Sequence, residues 1–138
     1  MSPTIRLPLA TAAATLALAP AAAADRPPAG VYRGDTEIGS VTLRVTDGGR
    51  ALAMSARMRI RCDDGERVEL DEKLHAGTFV IPPSGELGLG GSTFRFHVRF
   101  DGDRAVGWFR RIRRFAPEPG AADRTCDTRR VTFRARRG

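Results

Sequence analysis

The chain has 138 residues, a formal net charge of +7, two cysteines, two histidines and a single tryptophan. That length allows one domain behind a leader and not two, and two cysteines without CxxC or a matching histidine spacing give a structural zinc site no support. Arginine supplies 22 of the 23 basic residues and Asn and Gln are absent, a skew that a GC-rich genome writes without selection on function.

At the N-terminus, Arg6 precedes an apolar run from Leu7 to Ala19, then Pro20 and the small residues Ala21 to Ala24. This is the layout of a secretory signal peptide over 1–24, with Asp25 as the first mature residue and 25–138 as a single β domain. A membrane anchor is disfavoured because the run is short, rich in Ala and Thr, and broken by Pro8 and Pro20. No cysteine follows for lipid attachment, so the mature protein is expected to be soluble and exported, in the periplasm, at the envelope or outside the cell. An even cysteine count in an exported chain favours a Cys62–Cys126 disulfide over free thiols.

Along the mature chain, apolar and polar residues alternate with period two, the pattern of half-buried strands. The expected strands run over Val31–Gly34, Val41–Val45, Leu52–Cys62, Arg67–Leu74 and Thr78–Ile81, then Phe94–Phe100, Ala105–Ile112 and Arg130–Ala135. In the third, Leu52, Met54, Ala56, Met58, Ile60 and Cys62 share the inward face. Asp47-Gly48-Gly49, Asp63-Asp64-Gly65, Pro82-Pro83-Ser84-Gly85 and Asp101-Gly102-Asp103 supply turn chemistry between them. Gly85 to Gly91 reads as a loop with no helix behind it, so it is not a phosphate cradle. Ala116 to Asp123 reads as an exposed loop. The fold predicted is all-β, a single antiparallel meander of about 7–8 strands closed into a small sandwich or flattened barrel, with one disulfide. Its pocket is expected to be shallow or absent.

The order of motifs carries a resemblance. Gly30-Val31-Tyr32-Arg33-Gly34 opens the domain, Cys62-Asp63-Asp64-Gly65 forms a turn, Ala105-Val106-Gly107 lies on a late strand, and Cys126-Asp127-Thr128 leads into Val131-Thr132-Phe133-Arg134-Ala135. In this the chain resembles a broad group of small exported bacterial β proteins with a GxYxG start, a CxxG turn and a closing CxT/S-G-xVxW/F-xA strand. It departs from them at Arg129, where the group usually has Gly, and at Phe133, where Trp is common. The resemblance implies a fold and a disulfide and lends no activity.

Candidate sites are few. His97 lies on the polar face of its strand, His75 is the only other imidazole, and no GxSxG elbow exists, so no catalytic residue is assigned and no enzyme expected. Asp63, Asp64 and Glu66 lack the spacing of a calcium loop and read as a solvated turn, so neither a metal nor a cofactor is expected. Trp108 and Tyr32 are too few for a sugar-stacking platform, and Trp108 reads as core.

Charge is distributed unevenly: residues 25–94 hold 9 basic and 11 acidic side chains, and residues 95–138 hold 13 basic and 5 acidic. If Val106, Trp108 and Ile112 face inward, Arg111 and Arg113 face out, and Arg110 needs a bulge or strand end to escape burial. Pairing with the last strand then sets Arg111 and Arg113 beside Arg134 and Arg136 as an anion-binding patch, with Asp127 and Glu118 the only nearby acids in sequence. The function predicted is a non-enzymatic interaction module for an anionic envelope component or acidic protein, with no nucleic acid expected in that compartment. The alternatives are a small-ligand carrier using a barrel mouth and a secreted inhibitor presenting Ala116 to Asp123.

Overall fold

The computed structural model describes residues 26–74, 78–116 and 118–138; the leader reading of residues 1–24 and His75 lie outside the described residues. Alternating sequence becomes strand because each apolar side chain is buried on one face while the charged neighbour stays in water. The strands are β1 (Gly30–Thr36), β2 (Gly39–Thr46), β3 (Ala51–Arg61), β4 (Arg67–Glu72), β5 (Phe79–Val80), β6 (Glu86–Leu89), β7 (Phe94–Asp101), β8 (Arg104–Phe115), β9 (Arg124–Asp127) and β10 (Val131–Arg137). Every expected run contains a strand. Two more, β6 and β9, raise the number to ten. Each has only four residues, too few to display a period, and β6 lies inside the stretch read as a glycine-rich loop.

All strands pair antiparallel, in the order β4-β3-β2-β1-β10-β8-β7-β6, with β5 on one end of β3 and β9 on one end of β8. Read round a ring, that is chain order, with the last strand docked beside the first: Asp35 stands opposite Arg134 and Tyr32 opposite Arg137. The ring is cut between β4 and β6, which share no ladder among the described residues. The meander is therefore a flattened barrel left open along one seam.

Contacts across the seam hold it together. Cys62, just past β3, is bonded to Cys126 on β9, with Cα atoms 3.9 Å apart. Next to it the Asp63 N–H donates to the Thr125 carbonyl at 2.9 Å. Phe79 of β5 stacks on Phe96 of β7 with centroids 6.4 Å apart. A disulfide of this kind belongs to an oxidising, exported compartment. No helix among the described residues is long and apolar enough to cross a membrane.

The interior is filled by side chains. Phe96 stacks between Phe94 and Phe133 at 6.3 Å on each side, and Phe109 lies 6.4 Å from Phe133. Tyr32 is fully buried, yet its hydroxyl is satisfied by the Pro28 carbonyl at 2.8 Å and lies 3.2 Å from that of Gly102. Burial, foremost, raises the Tyr32 pKa above the ordinary phenol value, so the hydroxyl stays neutral.

Strand β8 runs in the opposite phase to the one expected. Ala105 and Phe109 are buried, and Gly107 lies on their face, opposite Val98 of β7 and Phe133 of β10. The cause is space. A Cβ on Gly107 would lie 2.1 Å from the His97 carbonyl oxygen and 2.7 Å from the Phe133 ring, so the buried phenyl of β10 is accommodated only where β8 has no side chain. Val106, Trp108, Arg110 and Ile112 are turned to the outer face by the same choice. Hence Trp108 is not core but half-buried on the outside, and Arg110 needs no bulge. Arg111 and Arg113 fall on the inward phase.

Between β9 and β10 the chain turns through Arg129 at φ +57°. An L side chain in this left-handed region costs roughly 1 kcal/mol, and glycine would remove that cost. Here two local bonds hold the turn: the Arg129 N–H donates to Asp127 Oδ1 at 2.8 Å, and Thr128 Oγ1 donates to the Arg129 carbonyl at 2.8 Å.

Candidate functional site: an arginine face on the outer side of the sheet

The register of β7, β8, β10 and β1 places side chains of one face in rows across neighbouring strands. One row reads Asp101, Arg104, Arg136, Arg33; the next reads Arg99, Val106, Arg134, Asp35. Strands are about 4.8 Å apart and alternate residues about 6.8 Å apart along a strand, so five guanidiniums share a patch four strands wide, about 14 Å across. Arg33, Arg99, Arg104, Arg134 and Arg136 are all exposed. None makes an ion pair with a described residue, although Asp35 and Asp101 stand directly opposite two of them. A shallow open groove runs over this face, floored in part by Gly34 and Gly107.

Only half of the patch expected from sequence is here. Arg134 and Arg136 belong to the face, but Arg111 and Arg113 do not lie beside them. Opposite Arg134 stands Val106, five positions along β8 from Arg111, and opposite Arg136 stands Arg104. Arg111 and Arg113 turn instead to the seam and both bind Glu72 of β4, Arg111 through Nε at 3.3 Å and Arg113 through Nη1. This acid lies 39 and 41 positions away in sequence. Val68, Leu70 and Glu72 share one phase of β4, as Phe109, Arg111 and Arg113 share one of β8. Two inward-phase charges of opposite sign at strand ends are the signal by which the pair could have been found.

Two other arginines are neutralised locally. Arg110 forms a forked pair with Asp127, Nε to Oδ1 at 3.1 Å and Nη2 to Oδ2 at 2.6 Å. Arg124 binds Asp64 at 2.6 Å, and Asp63 Oδ1 accepts the Thr125 N–H at 3.2 Å. The acidic turn thus anchors β9 rather than standing free in water. No cluster of three metal-binding side chains occurs among the described residues.

Next to the arginine rows, His97, Trp108 and Thr132 form a third row. The His97 ring stacks beside Trp108 at 6.4 Å, its Nε2 lies 2.8 Å from Glu86 Oε1, and the Arg130 guanidinium covers the indole at 4.5 Å from the centroid. Ala116 to Asp123 is exposed where described, and a reverse turn closed by the Ala121 N–H on the Glu118 carbonyl at 3.1 Å bends it. That shape differs from the extended strand that edge-binding proteins receive.

No family model matches this chain, and no curated protein and no solved structure matches it.

The forked pair gives a pH dependence. The hydrogen bond from Arg110 holds the Asp127 carboxyl below the ordinary carboxylate range, against a partial desolvation, with help from the Arg129 N–H. A depressed folded-state pKa means that the unfolded chain binds more protons. The stability from this pair is therefore whole above the unfolded value of about 3.9 and is lost as pH falls through the folded value. Thermal melts across the acid range are expected to show this loss in the native chain and a flatter profile in Asp127→Asn.

Proposed function

We propose that the protein binds a polyanionic, phosphate-bearing partner of the cell envelope through the face formed by Arg33, Arg99, Arg104, Arg134 and Arg136. The observation that carries this reading is their arrangement: five exposed guanidiniums on four adjacent strands, none in an ion pair with a described residue, outnumbering the Asp35 and Asp101 that share their rows. Such charges repel one another, and water and salt screen them only beyond about 10 Å. A partner with repeated phosphates relieves the repulsion and meets the planar donor fork of each arginine. An extended flat array suits a repeating anion better than a single small one, which would be held in a closed pocket. The basic corner around Arg59, Arg61 and Arg67 supports the reading less well, because Glu69 stands directly opposite Arg59 and Asp127 lines the same hollow, where it is already bonded to Arg110.

This is a binding role and not a catalytic one. The packed phenylalanines speak against a carrier, since they occupy the space in which an apolar ligand would sit. Export, to the periplasm, the envelope or the outside of the cell, fits the disulfide and the leader read from the sequence of residues 1–24. Footprinting with an arginine-specific dicarbonyl tests the assignment. With linear polyphosphate bound, the five arginines of the face are expected to be protected while Arg44 and Arg59 react as before. Uniform protection, or none, contradicts the reading.

A further inference from the structure

The outer phase of β8 carries Arg104, Val106, Trp108 and Arg110 in succession. Val106, at 37% exposure, is one of two large hydrophobic residues exposed in the described chain, the other being Val80 on β5. Its cross-strand neighbours on this face are Arg99 and Arg134, and those of Trp108 are His97 and Thr132. A short apolar ridge therefore runs down the arginine face: Val106 has a cation on each flank, and Trp108 lies between His97 and Thr132 with the Arg130 guanidinium over its indole.

A soluble polyanion has no use for that ridge: guanidiniums flanking it would be better served by Ser or Thr at its centre. A bilayer surface uses both parts. Long arginine side chains reach headgroup phosphates while their stems lie along apolar matter. Indole rings settle at the boundary between headgroups and acyl chains. Basic residues gain from the negative potential of an anionic leaflet. Of the acids in the first half of the domain, Asp35 stands in the arginine rows and Glu86 is bonded to His97, while Asp63, Asp64, Glu66, Glu69, Asp71 and Glu72 lie on β4 or the turn before it. Resting on the anion-binding reading above, we infer that the phosphate-bearing partner is an anionic lipid surface, which the protein meets with Val106 and Trp108 at the centre of contact and the arginines around them.

Trp108 is the only tryptophan in the chain, so its emission reports on the proposed contact itself. Protein purified from the exported fraction is mixed at low salt with phosphatidylglycerol vesicles, with phosphatidylcholine vesicles, or with soluble linear polyphosphate. The expected result is a shift of emission to shorter wavelength and co-sedimentation with phosphatidylglycerol alone. Val106→Thr, which exchanges one methyl for a hydroxyl, is expected to weaken vesicle binding relative to polyphosphate binding by about fivefold, the share of one buried carbon. Binding to polyphosphate and to phosphatidylglycerol with Trp108 emission unmoved in both would overturn the lipid inference and leave anion binding standing. Binding to neither overturns both.

Discussion

Replacing Cys62 and Cys126 together by Ala is expected to lower the stability of the folded domain by about 4 kcal/mol, the loop-entropy value for a cross-link of this span. The bond joins residues 64 apart in sequence, and in the native sheet it sits where the barrel is open. Its effect thus has two parts. The unfolded chain loses a constraint, and the native seam loses the link that positions β9 against the end of β3. Chemical denaturation of the double variant is expected to show a lower midpoint. The hydrogen-bonded pair Asp64–Arg124 loosens in consequence, because its geometry depends on β9 being held there. Reduction of the native protein should reproduce the shift, and a midpoint that does not move would show the seam to be held by its other contacts.

The second large effect is expected at Gly107. A methyl group there meets the His97 carbonyl oxygen at 2.1 Å and the Phe133 ring at 2.7 Å. Neither can yield cheaply: one is the backbone of the adjacent strand, and the other is wedged in the phenylalanine stack. Gly107→Ala should destabilise by about 3 kcal/mol, at the upper end of overpacking costs. It should also disturb the outer face, since β7 and β8 must separate where Arg99, Val106 and Arg134 are aligned. Hydrogen exchange is expected to show faster exchange in β7, β8 and β10 and little change in β2 and β3. A variant as stable as the native chain would mean that Phe133 has another place to go.

The same glycine explains where sequence reading failed. Period two was plain in β3 and β7, so their inward faces, including Cys62, were legible, and with them the disulfide and the meander. In β8 two phases compete. Val106, Trp108 and Ile112 are the more hydrophobic set, and a local pattern prefers them inside. What reverses the choice is Phe133, 26 positions downstream of Gly107, whose ring takes the space that a side chain would fill. That is a tertiary constraint with no local trace. Its consequences run through the site: Trp108 moves outside, Arg111 and Arg113 move to the seam, and their partner proves to be Glu72 from β4 rather than Asp127 or Glu118. Arg134 and Arg136 were legible from their own alternation in β10. Arg33, Arg99 and Arg104 were not, because they join them only through pairing with β1 and β8, and with β7 beyond β8.

The position of the binding face, as opposed to the overall charge of the chain, is the central claim, and affinity for linear polyphosphate measured against salt tests it most directly. Two variants of equal charge are compared with the native protein. One carries Gln at Arg99, Arg104, Arg134 and Arg136, and the other carries Gln at Arg44, Arg59, Arg61 and Arg67, on β2, β3 and β4. Binding that releases counterions weakens with salt in proportion to the phosphates contacted. The first variant is expected to lose affinity by at least about tenfold at low salt and to show a shallower salt dependence, because each arginine contact removed takes away about one released counterion. The second should stay within about twofold of the native protein, because its four arginines lie on β2, β3 and β4 and not on the four strands of the face. Equal losses in the two variants, or none in the first, would contradict the account.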